Sequence, residues 1–153
     1  MKFTNISGLY DHVKDAIHAV VRSQSNRGRV CIPTGGGKTA VEAHSLRLRG
    51  LNKDFKVHLI MSPRIMLTNQ LIKEYRGYIG HDYLALAFHS GKNEPDFTQV
   101  KWEEYSTTSV DVVKEQIARA QVMGKNLVIF STYHSAHKLL DIDFGMVIAD
   151  ESQ

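Results

Sequence analysis

The chain has 153 residues, 42% hydrophobic and 23% charged, which suits one soluble globular domain with a core of its own. Cys31 is its one cysteine, which excludes an intramolecular disulfide framework and a Cys-rich zinc site and fits a reducing compartment. The net charge of +3 hides an asymmetry: residues 1–80 carry 13 Lys/Arg against 5 Asp/Glu, and residues 81–153 carry 6 against 11. A basic first half suits either a face that steers a polyanion or ordinary solvated helix faces. No apolar run approaches the roughly 18 residues of a membrane span, and the first residues lack the apolar stretch of a signal peptide. A cytoplasmic location with no membrane partner is the expectation.

Val13, Ala16, Ile17, Val20 and Val21 recur at helical spacing and predict an amphipathic helix over 9–22. After a polar break, Val30-Cys31-Ile32 is a short β-rich run that feeds a glycine cluster. Residues 39–49 read as a helix with Gly50 as its stop. Residues 56–62 predict a strand. Residues 65–76 predict a helix with Leu67, Leu71 and Tyr75 on one stripe and Gly77 at its end. Residues 83–89 alternate into another strand. Residues 90–109 are polar and loop-like, and Trp102 lies among them. Val110, Val113, Ile117 and Ala120 mark a helix that closes at Gly124, with Thr108 and Asp111 as its capping box. Residues 126–131 and 146–149 are apolar strands, and the second leads directly into Asp150-Glu151. This alternation predicts an α/β fold around a mainly parallel sheet.

Pro33-Thr34-Gly35-Gly36-Gly37-Lys38-Thr39 follows a predicted strand and opens a predicted helix, the context a P-loop requires. Glycines let backbone N–H groups converge on phosphate oxygens that side chains would block. The helix N-terminus adds partial positive charge. Lys38 supplies a point charge for the β- and γ-phosphates of a nucleoside triphosphate, and the Thr39 hydroxyl can ligate magnesium. Asp150, at the end of an apolar strand, can hold the same magnesium, and Glu151 can polarise an attacking water.

These motifs in this order resemble the first RecA-like domain of a superfamily 2 helicase or translocase, in the DEAD/DEAH-like, type III restriction and RecQ-like group. Pro33 to Thr39 resembles motif I. Leu59-Ile60-Met61-Ser62-Pro63-Arg64, with Leu67 and Gln70, resembles motif Ia. Val128-Ile129-Phe130-Ser131-Thr132-Tyr133, with Ser135, resembles motif Ic. Val147 to Gln153 resembles motif II. The resemblance covers nearly the whole chain. It implies a P-loop NTPase fold, a RecA-like three-layer sandwich, with ATP and Mg2+ as cofactors. It implies Lys38, Asp150 and Glu151 as catalytic residues and Thr39 and Asp150 as magnesium ligands. Pro63, Arg64 and Thr132 would contact the backbone of a nucleic-acid strand, contacts that position a strand without reading its sequence.

The sequence also departs from the pattern. Ile32 stands where the general P-loop has its leading Gly, and Val13 where a Q motif has Gln, which puts adenine selectivity in question. Motif II ends in Gln153 where relatives often have His, and it is not Asp-Glu-Ala-Asp, so DNA is favoured over RNA. A Ser-Ala-Thr-like motif III and a second RecA-like domain lie outside these 153 residues. The expectation is an incomplete sheet and a partner domain in cis or trans, with the strand between the P-loop strand and the Asp-Glu strand supplied elsewhere. Otherwise the two strands close up on each other. Two readings stay open: the ATP-binding lobe of a helicase or translocase that cannot unwind by itself, or a non-catalytic nucleotide- or nucleic-acid-binding module. His134 and His137 lack a third ligand and read as solvated or capping groups.

Overall fold

The computed structural model describes residues 15–16, 37–51, 55–91 and 106–150. Asp15 and Ala16 are helical, as expected, while the rest of the predicted 9–22 helix, the 30–32 strand, Cys31 and Trp102 lie outside the described residues.

Helix α1, Lys38–Ser45, starts after Gly37, whose φ of 87° is left-handed and costs glycine little. Its last turn widens into a π-helical stretch, Leu46–Gly50, with Leu51 N–H donating to Leu46 O at 2.9 Å. Gly50, expected as the stop of this helix, is the last residue of the turn, and it has no positive φ. Its role is close approach: a Cβ there would lie 3.0 Å from the ring of buried His58.

Strand β1, Val57–Ser62, leads into helix α2, Ile65–Ile79. The helix runs through Gly77 and ends at Gly80, with φ 80°, because Ile79 is fully buried and needs one more turn to reach the core. Strand β2 is Tyr83–Phe88. The polar segment expected to be loop ends in a two-residue strand, β3, Ser106–Thr107, parallel to β2. Helix α3, Val110–Met123, is capped by Ser109, whose side chain accepts from Val112 N–H, and not by Thr108 as the capping box suggested. It closes at left-handed Gly124, as expected. Strand β4, Asn126–Thr132, is followed by the short helix α4, Tyr133–Ala136, and a 3-10 turn at His137–Leu139. Strand β5 is Met146–Ala149.

The described strands form a parallel five-stranded sheet in the order β3-β2-β4-β1-β5. Every residue of β4 is buried, as befits a central parallel strand covered on both faces. One face packs against α1 and α2 through Leu46, Leu71, Tyr75, Ile79, Val128 and Phe130. The other packs against α3 through Val113, Ala120, Leu86, Phe88, Leu127 and Ile129. The result is an α/β fold of three layers. β5 alternates between partly buried and exposed, and Val147 is 51% exposed. The register aligns Ser62 with Thr132 and Phe88 with Ser131, so these strand ends lie on one edge. Asp150 N–H donates to Met61 O at 2.7 Å and brings Asp150 to the same edge. No helix among the described residues is long and apolar enough to cross a membrane.

Candidate functional site

Carboxyl ends of parallel strands are where open α/β sheets collect ligands. Two of the residues singled out by sequence meet there: Lys38 Nζ lies 2.5 Å from Asp150 Oδ1, an ion pair spanning 112 residues of chain. Asp150 is buried and Lys38 remains 33% exposed. The backbone of Asp150 is held at both polar groups, its N–H by Met61 O and its C=O by the Tyr133 hydroxyl at 3.2 Å. Lys38 is the first residue of α1, and Gly37 makes no side-chain cap to the helix. Thr39, beside it, is partly buried. Pro33, Thr34, Gly35, Gly36 and Glu151 lie outside the described residues.

The structure adds a residue that sequence reasoning missed. Glu42 sits one helical turn after Lys38, on the same face. The Tyr75 hydroxyl donates to its Oε1 at 3.4 Å, and its Oε2 is buried without a hydrogen-bond partner among the described residues. Burial, and then the charge of Asp150, push the Glu42 pKa up to about 8, against the opposing pull of Lys38. Near neutral pH Glu42 therefore favours its protonated form. Burial and the same acidic neighbours push the Tyr75 hydroxyl well above its usual range, so it remains a donor. The legible signal was the i, i+4 spacing from Lys38.

Further along the edge, Pro63 and Arg64 are exposed. Their turn is braced: Ser62 and Thr68 share a hydroxyl–hydroxyl hydrogen bond at 2.6 Å, and their oxygens lie 3.3 and 3.0 Å from Arg64 O, which accepts from the hydroxyl left free to donate. Thr132 is 6% exposed, and its hydroxyl accepts from Ser135 N–H at 3.3 Å, capping α4. His89 is buried between Asn69, whose Oδ1 takes Nε2–H at 3.0 Å, and Gly91, whose N–H reaches Nδ1 at 3.0 Å. Burial lowers its pKa and keeps it neutral. His134 and His137 are exposed with ring centroids 6.2 Å apart, and His137 Nδ1–H donates to His134 O. Among the described residues no group of three His, Cys, Asp or Glu is placed to hold a metal ion.

The decisive comparison is with a family model described as type III restriction enzyme, res subunit, which matches residues 6–152. The chain belongs to this ResIII family. ResIII domains are superfamily 2 helicase-like, in agreement with the motif order. No curated protein matches this ResIII chain. Two solved structures share its fold. One is a nuclease-deletion mutant of the Type ISP restriction-modification enzyme LlaGI in complex with a DNA substrate mimic, with TM-score 0.73 and 23% identity over 94% of this chain. The other is the ATP-dependent Type ISP restriction-modification enzyme LlaBIII bound to DNA, with TM-score 0.74 and 22% identity over 98% of this chain. The ResIII chain spans 15% and 10% of those two proteins.

Proposed function

We propose that this chain is the ATP-binding lobe of an ATP-dependent DNA helicase or translocase working in the cytoplasm. The observation that carries the reading is the Lys38–Asp150 pair, two predicted site residues drawn together at the carboxyl edge of a parallel sheet. The residues fit a magnesium nucleotide. Gly37 brings the start of α1 forward without a Cβ, and no side chain of Gly37 competes for the helix amides. Lys38 is a flexible cation, and the Thr39 hydroxyl and Asp150 carboxylate are hard oxygen donors.

Lys38 exchanges Asp150 for the β- and γ-phosphates. It can leave only if another cation takes its place beside the buried carboxylate, so nucleotide affinity should depend on magnesium. Magnesium, when bound, neutralises charge building on the phosphates. Glu151 accepts the proton of the attacking water. Pro63 and Arg64 offer a phosphate-binding edge, and Thr132 shapes it by setting the start of α4. DNA is favoured because the two solved structures compared above were determined with DNA or its mimic. An arginine finger from a second RecA-like domain, in cis or in trans, would add roughly 10³–10⁵ in rate. Residues 1–153 alone should therefore hydrolyse ATP slowly and unwind nothing.

Titration of a fluorescent ATP analogue, with ATPase assays with and without single- and double-stranded DNA and RNA, tests this. Lys38→Ala should weaken binding on the order of 100-fold, and Glu151→Gln should keep binding and stop turnover. Nucleotide affinity intact in Lys38→Ala would show the site to be wrong, and duplex unwinding by residues 1–153 alone would overturn the lobe reading.

A further inference from the structure

We infer that Tyr133 is a positioning residue that couples the nucleic-acid edge to the nucleotide site: its ring meets a single strand and its hydroxyl holds Asp150. This coupling rests on the function proposed above. The two ends of the side chain face different surroundings. Tyr133 is 37% exposed, at the start of α4. Its hydroxyl reaches inward and donates to Asp150 O at 3.2 Å, across 17 residues of chain. The backbone around it is fixed. The Thr132 hydroxyl accepts from Ser135 N–H at 3.3 Å, and Ser131 Oγ donates to Thr132 O at 2.8 Å. Ser135, Ala136 and Leu139 are buried and seat the turn on the sheet, which leaves Tyr133, His134, His137 and Lys138 outward. No carboxylate occurs in this turn before Asp141. The Ser62–Thr132 register sets it beside the turn that carries Pro63 and Arg64, with the two strand ends about 5 Å apart.

An aromatic face beside cations suits a single strand, because bases stack on the ring and phosphates meet the charges. Asp150 is reached from the opposite side. Its N–H donates to Met61 O, so its backbone is clamped between β1 and Tyr133, while its carboxylate meets Lys38. A base stacked on Tyr133 restrains the ring, and the restrained ring holds the Asp150 carbonyl. Supports of this kind fix a ligating group before its ligand arrives. Strand and nucleotide are then linked through one side chain, and the linkage is reciprocal: each ligand tightens the other by the same factor. The two roles separate chemically. Phenylalanine at this position keeps the ring and loses the hydroxyl, and alanine loses both.

The test uses the chain of residues 1–153, fluorescent ATP with magnesium, and a labelled single-stranded oligothymidine. In the parent, saturating oligothymidine should tighten nucleotide binding about fivefold. In Tyr133→Phe, nucleotide binding without the strand should weaken about threefold, and the tightening by oligothymidine should fall below about twofold. Tyr133→Ala should weaken oligothymidine binding about tenfold, and Tyr133→Phe much less, because the ring remains. A tyrosine that serves the fold alone would lower stability and leave the coupling factor where it was. Urea unfolding without ligands reads the hydroxyl contact by itself, and Tyr133→Phe should raise the unfolding equilibrium constant about fivefold. A parent-like coupling factor in Tyr133→Phe, a parent whose two ligands do not affect each other, or oligothymidine affinity unchanged in Tyr133→Ala would overturn the inference. A parent that binds no nucleotide would remove the nucleotide reading and the coupling with it. The unfolding effect of Tyr133→Phe would then report a contact that serves the fold alone.

Discussion

At the start of α1, Lys38 pairs with Asp150, and Glu42 lies within reach of its charge. At its end, His44 stacks edge-on against Tyr78, with centroids 5.9 Å apart, and the following turn lays Gly50 against the ring of His58. Both ends bury polar side chains, and the two solve the cost of burial differently. The first end keeps one charge pair, Lys38 with Asp150, each of which can be exchanged for a ligand of the same sign. The second end keeps its groups neutral: burial lowers the pKa of His44 to about 4 and that of His58 below its usual value. A neutral imidazole needs no counter-ion, and it has nothing to trade with a phosphate. Within one helix and its following strand, charge pairing marks the end that can bind and neutralised burial marks the end that holds the fold.

The largest expected effect lies at the charged end. Lys38→Ala removes the cation paired with Asp150 and should cost on the order of 100-fold in nucleotide affinity, the loss expected for a charge-assisted contact. Titration of a fluorescent nucleotide reads it. Stability should change less, because Lys38 is 33% exposed and solvent screens the pair. A stability loss larger than the binding loss would mean that the pair serves the fold, and the contrast between the two ends would collapse.

The neutral end should respond to acid. His44 titrates near 6.5 when unfolded and at about 4 when folded, so between those values the unfolded chain binds more protons. Its contribution is fully present above pH 6.5 and is lost as pH falls towards 4. Urea unfolding at pH 7 and pH 5 should differ by about 2 kcal/mol from His44 alone, with His58 and His89 adding in the same direction. His44→Gln should flatten the slope. Glu42, with its pKa raised to about 8, works in the opposite direction over the same range, so the comparison with the variant decides: a pH slope unchanged in His44→Gln would break the claim that this end is held neutral.

Next in size is Gly50→Ala. An added Cβ would meet His58 Cε1 at 3.0 Å, and a Cβ on Gly145 would meet the same atom at 3.0 Å, so the ring lies between two glycine backbones and has little room to retreat. Overpacking costs about 1–3 kcal/mol, while Ala in a helical turn regains up to about 1 kcal/mol over Gly. A net loss on the order of 1 kcal/mol in thermal or urea unfolding is expected, with nucleotide affinity unchanged.

Gly50 also shows what sequence could and could not say. Its position after a helical run marked the end of α1, but the same letter serves a left-handed cap and a close approach, and only packing against His58 separates them. Gly77 and Gly80 repeat the lesson: the helix passes the first because Ile79 has a core to reach. β1, β4 and β5 were readable as apolar runs of strand length, and the motif order named the family. Ser106 and Thr107 were not readable as a strand, because two polar residues carry no periodicity and their place beside β2 is set by the tertiary fold. At the site, Lys38 and Asp150 were legible because each stands in a motif with a local signature. Glu42 was not, because its meaning depends on Tyr75 and Asp150, far along the chain.

The smallest effect should come from Arg64, outside both buried groups. Its backbone carbonyl is braced by Ser62 and Thr68, so the turn does not depend on its side chain, which is exposed. Arg64→Ala should therefore leave stability within about 0.5 kcal/mol of the parent. If the side chain contacts a DNA phosphate, affinity should fall a few-fold, equally across sequences. The slope of log affinity against log salt should shrink by about 1, the signature of one lost phosphate contact. Fluorescence anisotropy with two unrelated single strands, at several salt concentrations, measures both quantities. An unchanged slope would remove Arg64 from the nucleic-acid edge and leave the nucleotide end of α1 as it stands. The two tests thus separate the two halves of the proposed function, because a residue braced through its backbone can lose its side chain without disturbing anything behind it.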